Sequence, residues 1–284
     1  MAQILLCGAR GMLGRRLHEL LASRHAVVAT ELMEQPGIRA LDITAAEDVV
    51  AMVEAVQPDW IVNAAAYTAV DGAEAAAETA HAVNTVGPGN LASALSGTGG
   101  RLLHVSTDFV FRGDKADAYV EDDPTGAEGV YAKSKEAGER RVREVLPDAH
   151  AIVRIAWLFG EDGGNFVGTM LRLAGERERL GVVDDQRGTP TYARDAAEAM
   201  SRIMDAGILG TVHAANRGTT TWCGLAREAL RLAGSNTPVD AIATADYPTP
   251  APRPRNSALR NQVLERTIGD HMRPWQEALA AYIS

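Results

Sequence analysis

Only two cysteines occur in the 284 residues, Cys7 and Cys223. Cys7 lies in an apolar run, so no structural disulfide is expected and a reducing compartment, the cytoplasm, fits. No apolar run approaches the roughly 18 residues that a membrane-spanning helix requires. The run from Ile4 to Cys7 is too short, and lacks the basic flank, to read as a signal peptide. Basic residues are in deficit: 28 Lys and Arg against 37 Asp and Glu leave a net charge of -9. That balance argues against nucleic acid or an anionic membrane as a main partner. It leaves an anionic small molecule open, because such ligands respond to local arginines and helix ends. No internal repeat and no low-complexity linker is found. A hydrophobic fraction of 46% allows an ordinary core. The length suits one large α/β domain or one domain with a cap.

The first half alternates strand and helix patterns, which implies a parallel sheet. Gln3 to Cys7 reads as a buried strand. Gly8-Ala9-Arg10-Gly11-Met12-Leu13-Gly14 follows, and then a helical pattern from Leu13 to Ala22. Glycines permit a tight turn and close approach of a diphosphate, and the helix N-terminus supplies free N–H groups. A plain glycine-rich turn between strand and helix is the alternative. Ala26 to Leu32 reads as the second strand, with Glu31 at its end. An acid there can accept from the adenosine ribose hydroxyls and disfavours a 2′-phosphate, an effect Arg10 and Arg15 can offset. Asp42, before Ile43, can contact adenine or simply cap the helix predicted over residues 45–56. The third strand, at Trp60 to Val62, ends in Asn63-Ala64-Ala65-Ala66, whose small side chains leave room for a flat ligand. Tyr67, Thr68 and Asp71 follow on the loop. A helix-rich segment is predicted over residues 74–95, interrupted at Gly87-Pro88.

The fourth strand, Arg101 to Val105, ends in Ser106-Thr107-Asp108. Hydroxyls at this end of a parallel strand sit where ligands bind. Tyr131 and Lys135 come next, four apart at the start of a predicted helix, so their side chains share a face. A phenol titrates near ~10, and a cation close by lowers that value. Such pairs also meet by chance on surface helices. The second half alternates less regularly, with a strand at 151–156, helices at 166–173, 193–204, 222–233 and 274–283, and a polar loop at 186–191. It is expected to build a cap over the C-terminal edge of the sheet.

The glycine loop, Asn63 to Ala66, Ser106 to Asp108 and Tyr131-Ala132-Lys133-Ser134-Lys135 together resemble the extended short-chain dehydrogenase/reductase family over residues 1–160. Further segments narrow the resemblance to the dTDP-4-dehydrorhamnose reductase branch of that family. These are Tyr67 to Asp71, Ser106 to Phe111, Gly164-Asn165-Phe166, Asp185-Gln186 with Gly188, Pro190 and Thr191, Gly218 to Trp222, Tyr247 to Pro250, Arg253-Pro254 and Asn256-Ser257. The implied fold is a Rossmann-type doubly wound parallel sheet with a smaller mixed α/β substrate-binding cap at its C-terminal edge. The implied division is residues 1–160 for the dinucleotide, with a strand and helix returning from 189–215, and 161–284 mainly for the nucleotide sugar.

The resemblance implies that NADPH or NADH gives hydride to C4 of a dTDP-4-dehydro-β-L-rhamnose substrate while Tyr131 gives a proton to the C4 oxygen. Lys135 would bind the nicotinamide ribose and lower the Tyr131 pKa, and Thr107 would bond the same oxygen. Asp108 and Trp157 would contact the sugar. Gly8, Gly11, Met12, Leu13 and Gly14 would hold the coenzyme diphosphate. Glu31, Asp42, Ile43, Ala65, Ala66 and Thr68 would surround the rest, with Val105 beside the nicotinamide. Asn165, Gln186, Arg253 and Asn256 are candidates for the nucleotide diphosphate. Related dehydratases carry a Glu after the Asp to remove the C5 proton; Phe109 stands here instead. Some family members are described as using a divalent ion at an acidic dimer contact. Those positions fall on Arg16 and Arg194, and no metal-ligand cluster is visible, so magnesium is in doubt and a monomer or metal-free homodimer is expected. Two alternatives stay open: a reductase of another dTDP-4-keto-6-deoxy sugar, and a non-catalytic coenzyme-binding regulatory subunit.

Overall fold

Apolar runs bounded by turns pair in parallel when helices cover both faces of the sheet. In the computed structural model, which describes residues 1–284 throughout, seven strands do so. They are β1 Gln3–Cys7, β2 Ala26–Glu31, β3 Arg39–Ala40, β4 Trp60–Asn63, β5 Arg101–Thr107, β6 His150–Ile155 and β7 Gly210–His213. Their order across the sheet is β7-β6-β5-β4-β1-β2-β3, and every pairing is parallel. The winding reverses between β1 and β4. The loops after those two strands therefore open a crevice at the C-terminal edge, where ligands bind in such sheets.

The main helices are α1 Met12–Ala22, α2 Ala46–Val56, α3 Gly87–Leu95, α4 Val130–Val145, α5 Phe166–Ala174, α6 Ala193–Ala206, α7 Trp222–Leu232 and α8 Trp275–Ile283. Leu13, Leu17 and Leu21 recur every four residues, so α1 presents one apolar stripe. It packs with Ala196, Met200 and Ile203 of α6 on one face of the sheet. Val49 and Val53 of α2, Leu91 and Leu95 of α3 and Val142 of α4 cover the other. Thus β7 and α6, late in the chain, complete the sheet begun by the first half.

Where the sequence predicts a break at Gly87-Pro88, the helix continues instead. Ala82–Val86 forms a π turn, and α3 starts at Gly87. Pro88 has no N–H, and its ring crowds the carbonyl one turn back, that of Asn84. A wider turn relieves the clash. The Asn84 carbonyl faces α4 so closely that a Cβ on Gly138 would lie 2.1 Å from it.

The cap is built on Leu180–Val183, which pairs in parallel with Val239–Ile242. Helices α5 and α7 pack on this pair, and α8 closes the layer. The polar loop predicted over 186–191 holds two short pairings. Arg187–Gly188 runs antiparallel to Thr220–Thr221, and Thr191–Tyr192 runs parallel to Leu158–Phe159. No helix is long and apolar enough to cross a membrane.

Candidate active site

The crevice begins with glycines that admit no side chain. Gly8 has φ +77°, and a Cβ there would lie 2.6 Å from the Ala65 amide nitrogen. The loops after β1 and β4 therefore touch backbone to backbone. A Cβ on Gly14 would lie 1.9 Å from the Gly8 carbonyl, so the first turn of α1 is pressed under the loop. Gly11, the N-cap residue, has no such neighbour. Helix α1 starts with no side-chain cap and no acid in its first turn. Its unpaired N–H groups and positive end suit a diphosphate. Gly14→Ala is expected to cost about 1–3 kcal/mol of stability by overpacking and to remove coenzyme binding; urea unfolding and an NADPH titration check both.

Gly11, Met12, Leu13 and Gly14 form one wall of a cavity of about 700 Å³. The opposite wall is the first turn of α4 and the end of β5. The Glu74 carboxylate accepts from the Val130 amide at 2.8 Å, an acid at a helix N-terminus. Asn84, within the helix-rich segment, is buried. It bonds the Tyr67 amide and carbonyl at 2.9 and 3.0 Å and donates to Ser134 Oγ at 3.0 Å. It thereby ties α4 to the loop carrying Ala66 and Thr68. On α4, Tyr131 and Lys135 face the cavity, with Val105, Thr107 and Asp108 across from them. Lys135 is 2% exposed and donates to the Val105 carbonyl at 2.8 Å. The Thr107 hydroxyl donates to Asp108 Oδ1 at 3.1 Å. Asp108 Oδ2 and Ser106 Oγ are buried with no hydrogen bond of normal length; the Ser257 hydroxyl lies near the first and the Glu139 carboxylate near the second.

The electrostatics differ from the expectation that Lys135 lowers the Tyr131 pKa. Tyr131 borders the cavity, and burial pushes its phenol up to about 12. The neighbouring Thr107 hydroxyl, which lowers it, and the Asp108 charge, which raises it, are lesser influences. Burial also brings Lys135 down to about 8, against the opposing pull of Glu139. The lysine spends a hydrogen bond on Val105, and desolvation of the phenolate wins. Burial likewise raises Asp108 to about 7, against the hydroxyls of Ser257 and Thr107.

A second cavity of about 430 Å³ adjoins the first through Trp222 and Arg253, which border both. Gln186 lies in it, accepting from Trp222 Nε1 at 3.2 Å and donating to Thr244 at 3.0 Å. Arg253 is held by Asp71 at 2.8 Å and by the Ala251 carbonyl at 2.9 Å.

The main cavity thus gathers Gly11, Met12, Leu13, Gly14, Ala66, Thr68, Val105, Thr107, Asp108, Tyr131, Lys135, Trp157 and Arg253 of the predicted residues. Others lie off its wall, each for a local reason. Gly8 and Ala65 make the loop contact described above. Glu31 accepts from the Arg10 amide at 2.8 Å and steadies the glycine loop. Asp42 accepts from the Thr44 amide and hydroxyl, closing a turn, and Ile43 is core beneath Gly87. Asn165 caps α5, accepting from the Gly168 amide and donating to the Gly160 carbonyl. Asn256 donates to the Lys115 and Asp117 carbonyls. Phe109, of the Ser106 to Phe111 segment, also borders the cavity, as do Leu158, Asp162 and Gly163, which carry no sequence signal beyond proximity to named motifs. Arg16 pairs with Asp162 and Glu19, and Arg194 with Glu161. No group of three or more His, Cys, Asp or Glu side chains converges as a metal site would require.

Comparison with known proteins places these features in context. The family model described as the RmlD substrate binding domain matches residues 1–284. A dTDP-4-dehydrorhamnose reductase of Streptomyces griseus is 44% identical, the match covering 97% of this chain and 91% of the relative. The crystal structure of a dTDP-4-dehydrorhamnose reductase from Clostridium acetobutylicum superposes with a TM-score of 0.94 at 38% identity, covering 99% and 98% of the two chains. That of a dTDP-4-dehydrorhamnose reductase from Bacillus anthracis in complex with NADP gives the same TM-score, 0.94, at 33% identity, again over 99% and 98%.

Proposed function

The chain belongs to the RmlD substrate-binding-domain family, and from that premise we propose that it reduces dTDP-4-dehydro-β-L-rhamnose at C4 to dTDP-L-rhamnose. The observation that carries this reading is one cavity holding Thr107, Tyr131 and Lys135 opposite the uncapped start of α1. The chain is an NAD(P)-dependent oxidoreductase, and the coenzyme, NADPH or NADH, supplies the hydride when bound. The first turn of α1 would hold its diphosphate, and Lys135 would hold its nicotinamide ribose. As negative charge grows on the C4 oxygen, the Thr107 hydroxyl donates to it and Tyr131 gives up its proton. A phenol held at about 12 stays protonated across the neutral range, which suits a donor in the reducing direction. Trp157 and Asp108 border the sugar, and the second cavity, with Gln186 and Arg253, takes the nucleotide end. Residues 1–160 with 189–215 carry the coenzyme and 161–284 mainly the nucleotide sugar.

The pH dependence follows from Lys135. Its folded-state pKa, about 8, lies below the ordinary lysine value, so the ammonium loses its charge as pH rises through about 8. Turnover at limiting coenzyme is expected to fall above that pH. Lys135→Met is expected to lower activity throughout and to abolish this limb; pH profiles of kcat/KM for the coenzyme check it. NMR of the product tests the product assignment. The L-rhamno configuration at C4 supports it, and the other C4 epimer would mean hydride delivery to the opposite face of the same carbonyl and contradict it.

A further inference from the structure

Trp157 and Trp222 stack with ring centroids 3.5 Å apart and planes within 5°. Trp157 has φ +45°, a left-handed conformation costly for a large side chain. Something in the fold must hold it there. On one side the backbone of Gly188 lies so close that a Cβ would sit 2.2 Å from the Trp157 ring. Trp222, the first residue of α7, supplies the stacking partner. Its own indole is fixed at two further points. Nε1 donates to Gln186 at 3.2 Å, and Phe166 leans on the ring at 4.6 Å. Trp157 borders only the cavity of Tyr131, whereas Trp222 borders both cavities.

We propose that Trp222 is a positioning residue that holds the Trp157 indole as the wall of the sugar site. This deepens the reading above and rests on it for the identity of the sugar. The part of the Trp157 indole left open between the Gly188 and Trp222 contacts offers the 6-deoxy sugar an apolar wall, and its placement depends on a partner that locks the ring. Trp222 thereby acts on the sugar end of the ligand through Trp157, in addition to its place in the wall of the second cavity.

Affinities for dTDP and for dTDP-L-rhamnose, measured by calorimetry on the full chain, test this. Their ratio isolates the sugar's contribution and needs no turnover. In W222A the affinity for dTDP-L-rhamnose is expected to fall roughly tenfold more than that for dTDP. W222F, which restores an aromatic face, is expected to return within about threefold of the wild type; W222L, of similar apolar character without the ring, is not. Equal losses for both ligands in W222A, an unchanged ratio, or full rescue by W222L would overturn the proposal. If W222A does not fold, the contrast of W222F with W222L decides it. Wild-type protein that binds the two ligands equally would also overturn it. Failure of the wild type to turn over dTDP-4-dehydrorhamnose would instead reject the reaction assigned above.

Discussion

Tyr131→Phe is expected to lower kcat by roughly 10²- to 10⁴-fold, the usual contribution of a positioned general acid. The substitution removes one hydroxyl and keeps the ring. The edge contact with Phe109, centroids 5.9 Å apart at 79°, should survive. Because Lys135 and α1 are untouched, coenzyme affinity should stay within about twofold, well under 1 kcal/mol. Single-turnover kinetics and a coenzyme titration separate the two effects. A variant retaining wild-type turnover would mean that the C4 oxygen takes its proton from elsewhere. A variant that loses coenzyme binding as well would mean that the phenol holds the ligand and is not specifically the acid.

The second large effect lies beneath the site. Glu139, two turns beyond Tyr131 on α4, is wholly buried. It accepts from Arg154 Nε and Nη2 of β6 at 2.9 and 2.8 Å and from Arg143 at 2.7 Å. Burial alone would raise its pKa. The Arg154 hydrogen bonds, with the charges of Arg154 and Arg143, outweigh that and hold it down at about 2. Arg154→Leu leaves a buried carboxylate with one half-exposed partner, and breaking such a pair typically costs about 3–5 kcal/mol. The linkage has a definite sign. A carboxyl whose folded pKa is depressed stabilises the fold above its ordinary range, and that stability is lost as pH falls through the folded value. The wild type should therefore lose this contribution between the ordinary glutamate value of 4.5 and about 2, and the variant should begin to lose stability at higher pH. Urea unfolding at neutral and acid pH checks both. An Arg154→Leu protein as stable as the wild type at neutral pH would show the pair to be neutral to folding.

How legible these features are in the sequence depends on whether their cause is local. The glycine loop, the strand periods and the spacing of Tyr131 and Lys135 report backbone turns and shared helix faces within a few residues, so they are readable in advance. Arg154 sits inside the run Ala-Ile-Val-Arg-Ile of β6, and a charge there is a signal of pairing. Its partner is on another element, where Glu139 passes for a solvated helix residue. Asn165 and Asp42 show the converse ambiguity. The same polar side chains serve ligands and caps, and here their atoms are taken by the Gly168 and Thr44 amides. The direction of the Tyr131 shift is also beyond the spacing rule, which counts the lysine charge and not the desolvation of the phenol. Trp222 stood in the sequence as one residue of a family-like segment. Only the fold brings it from α7 onto Trp157.

The most direct test of the account is loss of coenzyme absorbance when purified protein meets dTDP-4-dehydro-L-rhamnose with NADPH or NADH. Turnover by the wild type with at least one coenzyme, abolished in Tyr131→Phe with coenzyme binding intact, is the expected result. Folded wild-type protein that binds coenzyme and shows no turnover with either would contradict it.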